Sequence, residues 1–229
     1  MTKVLALDLS LSATGLFYGD PTDPTAPSHR DEITTPDRRE GESDVAWNAR
    51  RFDHFSGKLL GHLERLKPDL LVLEVTSHAH TTFTVRGQTR ETSRGQEFRA
   101  GLGLGRALGW IDGVLVLAAA YGTCPPQVAT IEANDAKLRV AGNKTASKTA
   151  VRNKLAEAFA WRTDGWRESQ VDALAAGLGW LRQAEQLDRE RAIRQLASAQ
   201  SARPRPARGG RGSGARAPRP RRTRAAPTG

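Results

Sequence analysis

The amino-acid sequence predicts an α/β protein: a mixed sheet flanked by helices on both faces, followed by a disordered basic C-terminal tail. Three observations lead there. Short, almost wholly apolar runs at residues 4–9 and 69–75 suit strands buried on both faces. Between and after them, apolar residues recur at helical spacing. From residue 202 onward the chain is mostly Arg, Pro, Gly and Ala, with nine arginines and no acid, and cannot bury enough apolar surface to fold.

Each element can be justified in order. Residues 4–9 form the first strand, and residues 15–18 return beside it as a hairpin. Residues 20–42, rich in Pro, Asp, Thr and Arg, read as a loop with one edge strand near 32–34. Ser43 and Asp44 open a helix in which Val45, Phe52, Phe55, Leu59, Leu63 and Leu66 repeat at helical spacing, and Pro68 ends it. Residues 69–75 are the second buried strand. Residues 76–95 have no apolar period and read as a long basic loop, of the kind that is commonly functional. A Gly- and Ala-rich helix follows over 96–121. Then come a short strand at 127–131, a helical turn at 134–140 capped by Asn134 or Asp135, and a second basic loop at 142–147. Ser147 caps a helix reaching Phe159, and after a turn at 161–164 a last helix covers about 166–182.

The chain therefore divides into a folded domain over 1–183, a charged helical extension over 184–201 and the tail over 202–229. Of the net charge of +10, the tail's nine arginines supply all but +1. The tail is expected to add salt-sensitive, sequence-independent affinity for nucleic acid. One cysteine, Cys124, permits no internal disulfide, lies in an apolar neighbourhood and reads as inert core. No run reaches the roughly 18 apolar residues of a membrane span. The short apolar run after Lys3 contains Asp8 and so does not read as a signal peptide. We expect a cytoplasmic protein without a membrane partner.

The acids carry the chemistry. Asp8 stands near the end of the first buried strand, where a carboxylate is costly unless paired, hydrogen-bonded or bound to a cation. Either it caps the following turn by accepting from the amides of Ser10 or Leu11, or it belongs to an acidic site. Glu74 stands at the same end of the second buried strand, and ligands of open α/β sheets bind beyond those ends. In the last helix Glu168 and Asp172 are four apart and share a face. Val171, Leu174, Leu178 and Leu181 form its apolar stripe. Asp172 sits beside Ala175, Ala176 and Gly179, small residues that let a helix approach a sheet. Alternatively, Glu168 and Asp172 are solvated first-turn acids favoured by the helix dipole.

Taken in order, these segments resemble the RuvC-type Holliday-junction resolvases of the RNase H-like superfamily. The resemblance runs from Asp8 with Ser10, Thr14 and Gly15, through Glu74, to Asp172-Ala-Leu-Ala. It also covers 103–106, 132–142 and the lysine-bearing 144–152, about residues 4–180 in all. It implies an RNase H-like sheet and a structure-selective endonuclease that nicks four-way or other branched DNA as a homodimer, in the cytoplasm at the nucleoid. Two Mg²⁺ or Mn²⁺ ions about 4 Å apart are implied as cofactors, since hard cations take oxygen ligands and stabilise both attacking and leaving oxygens. The resemblance makes Asp8 the bridging ligand, with Glu74 and Asp172 completing the shells. It makes Lys144 or Lys148 the contact to the scissile phosphate. The family commonly has a further ligand three residues before the last Asp. Here that residue is Ser169, so either Glu168, one residue back, or Ser169 takes the place. DNA contacts are expected from Arg86, Arg90, Arg94 and Arg152. Phe83 either stacks on an unpaired base or is an incidental exposed aromatic, and His78 or His80 is either near the ions or solvated. Trp161, Trp166 and Trp180 read as packing residues.

Two other readings compete. An ATP-binding protein of the sugar-kinase and actin type also opens on a strand bearing an Asp. It needs a second Asp-Gly phosphate loop, for which Asp112-Gly113 lies in a predicted helix. A non-catalytic junction-binding module would explain Ser169 but not three retained acids.

Overall fold

The computed structural model describes residues 3–75, 82–85, 88–91, 94–123 and 126–201, with backbone alone for 82–104 and 196–201. Contacts divide the chain into a compact unit of residues 1–188 and a second of residues 189–229. The strands in chain order are β1 (Val4–Asp8), β2 (Ala13–Gly19), β3 (His29–Thr34), β4 (Leu70–Val75), β5 (Thr82–Val85), β6 (Gln88–Glu91) and β7 (Gln127–Glu132). The helices are α1 (Asp44–Leu66), α2 (Arg94–Ala120), α3 (Ala133–Ala141), α4 (Lys148–Phe159) and α5 (Glu168–Ser201).

Five strands form one mixed sheet in the order β3-β2-β1-β4-β7, with β2 antiparallel to both neighbours and β1, β4 and β7 parallel. Alternation decides the two faces. Leu5 and Leu7 of β1, Leu16 of β2, and Leu71 and Leu73 of β4 pack with Phe55, Leu59 and Leu63 of α1 and Ile111 and Val114 of α2. On the other face Val4, Ala6, Leu70, Val72 and Ile131 pack with Ala136 of α3 and Ala176 of α5. Phe17 of β2 joins Val151 and Leu155 of α4 there, with Trp161 edge-on at 5.4 Å and Trp166 stacked at 6.3 Å.

Local chemistry sets the helix ends. Ser43 and Ser147 each accept from the amide three residues on, Ala46 and Ala150, at 3.2 Å. Lys67 turns left-handed at φ 47°, returning its N–H to the Leu63 carbonyl, and Pro68 cannot continue the helix. The small residues of α5 seat closely on α3 and the sheet: a Cβ on Gly179 would lie 2.9 Å from Ala136 Cα of α3, and one on Gly177 3.2 Å from Ala6 Cβ of β1.

Several expectations change. Residues 82–91 contain an antiparallel hairpin, Phe83 pairing with Arg90, where the sequence predicts only loop. The β-branched and aromatic run from Thr82 to Val85 favours a strand and is masked by the charged residues around it. The edge strand begins earlier, at His29, α2 begins at Arg94, and α5 is helical without a break to Ser201. α3 starts after Glu132 with no side-chain cap, so neither Asn134 nor Asp135 has that role. Val45 is 80% exposed because the buried residues of α1 begin only at Arg51. Trp161 and Trp166 are buried and Trp180 is partly so. Cys124 and the tail lie outside the described residues.

Candidate active site

A single row across the sheet positions the acids. Asp8 pairs with Gly15 on one side and Glu74 on the other; Gly15 in turn pairs with Glu32, and Glu74 with Ile131. Cross-strand partners present their side chains on the same face. Glu32, Asp8 and Glu74 therefore share the face covered by α3, α4 and α5, at the carboxyl ends of β1 and β4. The turn after β1 is closed by Thr14, whose Oγ1 donates to the Ser10 carbonyl at 2.9 Å and accepts from the Ser10 amide at 3.4 Å. That leaves the Asp8 carboxylate in the row rather than capping the turn.

The first turns of α5 bring a third acid to this row. Asp172, with a side chain only 14% exposed, and Glu168, 60% exposed, are bridged by Lys148 of α4. Its Nζ lies 2.6 Å from Glu168 Oε1 and 2.9 Å from Asp172 Oδ2. Electrostatics link these five groups. Burial, and then the charge of Asp172, push the Asp8 carboxyl up to about 6 against the pull of Lys148. Burial, with Asp8 and Asp172 beside it, pushes Glu74 up to about 8, opposed by Lys137 and Lys148. For Lys148 burial acts downward, but hydrogen bonds and charge from Asp172 and Glu168 outweigh it and hold the ammonium above its ordinary range. The hydrogen bond from Lys148 holds Glu168 below the usual carboxylate range. A cleft of about 270 Å³ opens here, lined by Lys148, Thr149, Arg152, Glu168, Val171 and Asp172.

The structure thus brings Asp8, Glu74, Asp172, Glu168, Lys148 and Arg152 to one site. Arg152 also donates to the Trp166 carbonyl at 3.3 Å. Lys144 instead pairs with Asp135 at 3.0 Å. Lys137, which faces Glu74, escapes a sequence reading because nothing in its spacing marks it. Ser169 is engaged by the acid at the other end of the row, its hydroxyl donating to Glu32 at 2.5 Å. Phe83 and Arg90 lie on the hairpin and Arg94 opens α2, with their side chains outside the described residues, as are His78, His80 and Arg86 entirely.

The donor set suits hard cations. Every candidate ligand is a carboxylate oxygen, and burial together with the charge of the neighbouring acids raises Asp8 and Glu74, a cost that positive charge relieves. Among the described residues, ligand atoms of three such groups come within 4.8 Å of one another only at His29, Asp31 and His62. That trio lies on the opposite face of the sheet, against α1. Arg65 donates to His62 Nδ1 at 3.0 Å and to His29 Nε2 at 3.1 Å. Since arginine only donates, His62 Nε2 carries the hydrogen facing Asp31 Oδ2, 3.3 Å away. An ion bound by the trio would displace the Arg65 hydrogen bonds, and the trio is separate from Asp8.

The ATP-binding reading finds no support in its motif. Asp112 and Gly113 are inside α2, where a Cβ on Gly113 would touch the Phe52 ring at 3.3 Å. Asp164-Gly165, another such pair, forms the turn before α5, with Gly165 at φ 74°.

No protein-family model matches the chain, and no curated protein is similar to it in sequence. Solved structures are similar in fold. RuvC of Thermus thermophilus, in complex with Holliday junction substrate, is 20% identical with a TM-score of 0.52, covering 80% of this chain and 97% of that one. A second structure of Thermus thermophilus RuvC is 19% identical, with a TM-score of 0.53 and coverage of 80% and 96%. The yeast mitochondrial Holliday junction resolvase Ydc2 is 12% identical, with a TM-score of 0.56 and coverage of 85% and 84%. The chain has the fold of the RuvC-type resolvases, a mixed α/β sheet of the RNase H-like kind.

Proposed function

We propose that the protein is a metal-dependent endodeoxyribonuclease that resolves four-way or other branched DNA junctions, acting as a homodimer. The observation that carries this reading is the convergence of Asp8, Glu74 and Asp172 at the carboxyl ends of β1 and β4, with Lys148 paired to Asp172. Similarity in fold to junction resolvases supports the substrate class. Among the described residues no helix is long and apolar enough to cross a membrane.

Asp8, Glu74, Asp172 and Glu168 would hold Mg²⁺ or Mn²⁺, two per site. Bound there, such ions polarise the phosphate, activate a water and stabilise the leaving oxygen. Water adds to phosphorus as the P–O3′ bond breaks, leaving a 5′-phosphate and a 3′-hydroxyl. The side chains of the cleft position the strand. Lys148 and Arg152, four apart on α4, present two cations to a phosphate entering beside Asp172. The pairing of Lys148 with Glu168 and Asp172 fixes its ammonium before DNA arrives.

The test is cleavage of labelled four-way junction, fork and linear duplex by the full chain with Mg²⁺, Mn²⁺ or EDTA. Paired, metal-dependent nicks in the junction are expected, and Asp8→Asn should abolish them while sparing binding. Tight junction binding without cleavage under either metal would replace this reading with that of a binding module.

A further inference from the structure

Glu32 stands on the edge strand β3, where neither motif nor composition marks it. Its row partner is Gly15, which is buried and leaves the space above it open. The backbone of Ser169 fills that space: a Cβ on Gly15 would run into the Ser169 carbonyl and approach its Cβ to 2.6 Å. From the far side of this seat Glu32 reaches two groups at the start of α5, one just before the helix and one in its first turn. The Ser169 hydroxyl donates to Oε2 at 2.5 Å, and the Arg167 guanidinium pairs with Oε1. Arg167 is itself tied into the helix start, its N–H donating to the Gln170 side chain at 2.9 Å. The Glu32 side chain is only 12% exposed. The Ser169 hydrogen bond, against burial and with help from Arg167, keeps its carboxyl ionised below the usual range.

We infer that Glu32 is a positioning residue: it pins the first turn of α5 onto Gly15 and thereby sets where Asp172 stands relative to Asp8 and Glu74. Asp172 follows Ser169 by less than one turn, so any rotation of that turn moves its carboxylate directly. A side-chain tip lies about 6 Å from the helix axis, so about 10° of rotation displaces it by about 1 Å. Displacements of that size cost a site on the order of 100-fold in rate. Glu32 touches neither substrate nor the acids; it acts through Ser169 and Arg167. In its catalytic consequence this inference rests on the nuclease reading, but the clamp can be tested without cleavage.

The experiment uses the full chain with Glu32→Gln, Glu32→Ala, Ser169→Ala and the double variant Glu32→Ala/Ser169→Ala. In EDTA, hydrogen exchange of amides at 168–173 is expected to speed up about tenfold in Glu32→Ala. Glu32→Gln should show less, since it still accepts from Ser169 but loses the charge facing Arg167. Calorimetric Mn²⁺ binding without DNA should weaken about tenfold, as is usual when a group supporting metal ligands is removed. The Mn²⁺ midpoint for junction cleavage should rise in parallel, and the double variant should be no worse than the worse single variant. Unchanged exchange and Mn²⁺ affinity in Glu32→Ala, or fully additive single effects, would overturn the inference. If the wild type cuts no DNA, the nuclease reading fails while exchange and Mn²⁺ binding still decide the clamp.

Discussion

Replacing Glu74 by Gln should stabilise the metal-free protein, and only at high pH. Glu74 titrates near 8 in the fold against 4.5 ordinarily, because burial and the neighbouring Asp8 and Asp172 disfavour its charge. Between those values the folded state holds a proton that the unfolded chain releases. Stability therefore falls as pH rises through this window, and the full cost is present above pH 8. At about 1.4 kcal/mol per pH unit the ceiling is about 5 kcal/mol. Glu74 is only half-buried, and water reaching it should reduce this to about 2–3 kcal/mol. For a domain of this size, that is a rise in Tm of about 5–10 °C. Asp8 adds a smaller effect of the same sign between 3.8 and about 6. The assay is thermal unfolding in EDTA from pH 5 to 9. Wild type and Glu74→Gln should nearly coincide at pH 5 and separate by pH 8.5, and Mg²⁺ should restore the wild type at high pH. Parallel curves across the whole range would refute the claim that Glu74 carries this cost.

Three further outcomes are expected. Lys148→Ala should slow single-turnover junction cleavage about 10- to 100-fold. It should change metal-free stability by less than about 1 kcal/mol, since the ammonium is half-exposed. Gly15→Ala should cost about 3 kcal/mol in urea unfolding, because its Cβ meets the backbone of Ser169, and a loss below about 0.5 kcal/mol would contradict that seat. Deleting residues 202–229 should flatten the dependence of log K on log salt by about 3, if three of the nine arginines contact phosphates at a time; an unchanged slope would show that the tail does not touch DNA.

How far the sequence was legible depends on whether the signal was local. Asp8 and Glu74 are visible because a carboxylate inside an apolar strand is locally anomalous. Their pairing in one row then follows from adjacent strands ending together. The seat of α5 was legible in Ala175, Ala176 and Gly179, since small residues on one face need a close neighbour. Lys137 and Glu32 were not legible. Each matters through strand register or helix docking, which bring together groups more than 60 residues apart for Lys137 and Glu74 and more than 130 for Glu32 and Ser169. Val45 misled for the opposite reason: helical spacing gives a face but not the turn at which that face reaches the core. The hairpin of β5 and β6 was hidden because four-residue strands leave too short an alternation to stand out among arginines.

The hairpin has a consequence for how such a protein can change. Among the described residues, β5 and β6 form their own two-stranded sheet, sharing no ladder with the five strands that hold Asp8 and Glu74. The pair β5 and β6 can therefore be exchanged without breaking a rung beneath the acids. In the row from Glu32 to Glu74, by contrast, even one added methyl at Gly15 meets the backbone of Ser169. An engineer grafting a new hairpin in place of β5 and β6 would leave the five-stranded ladder unchanged.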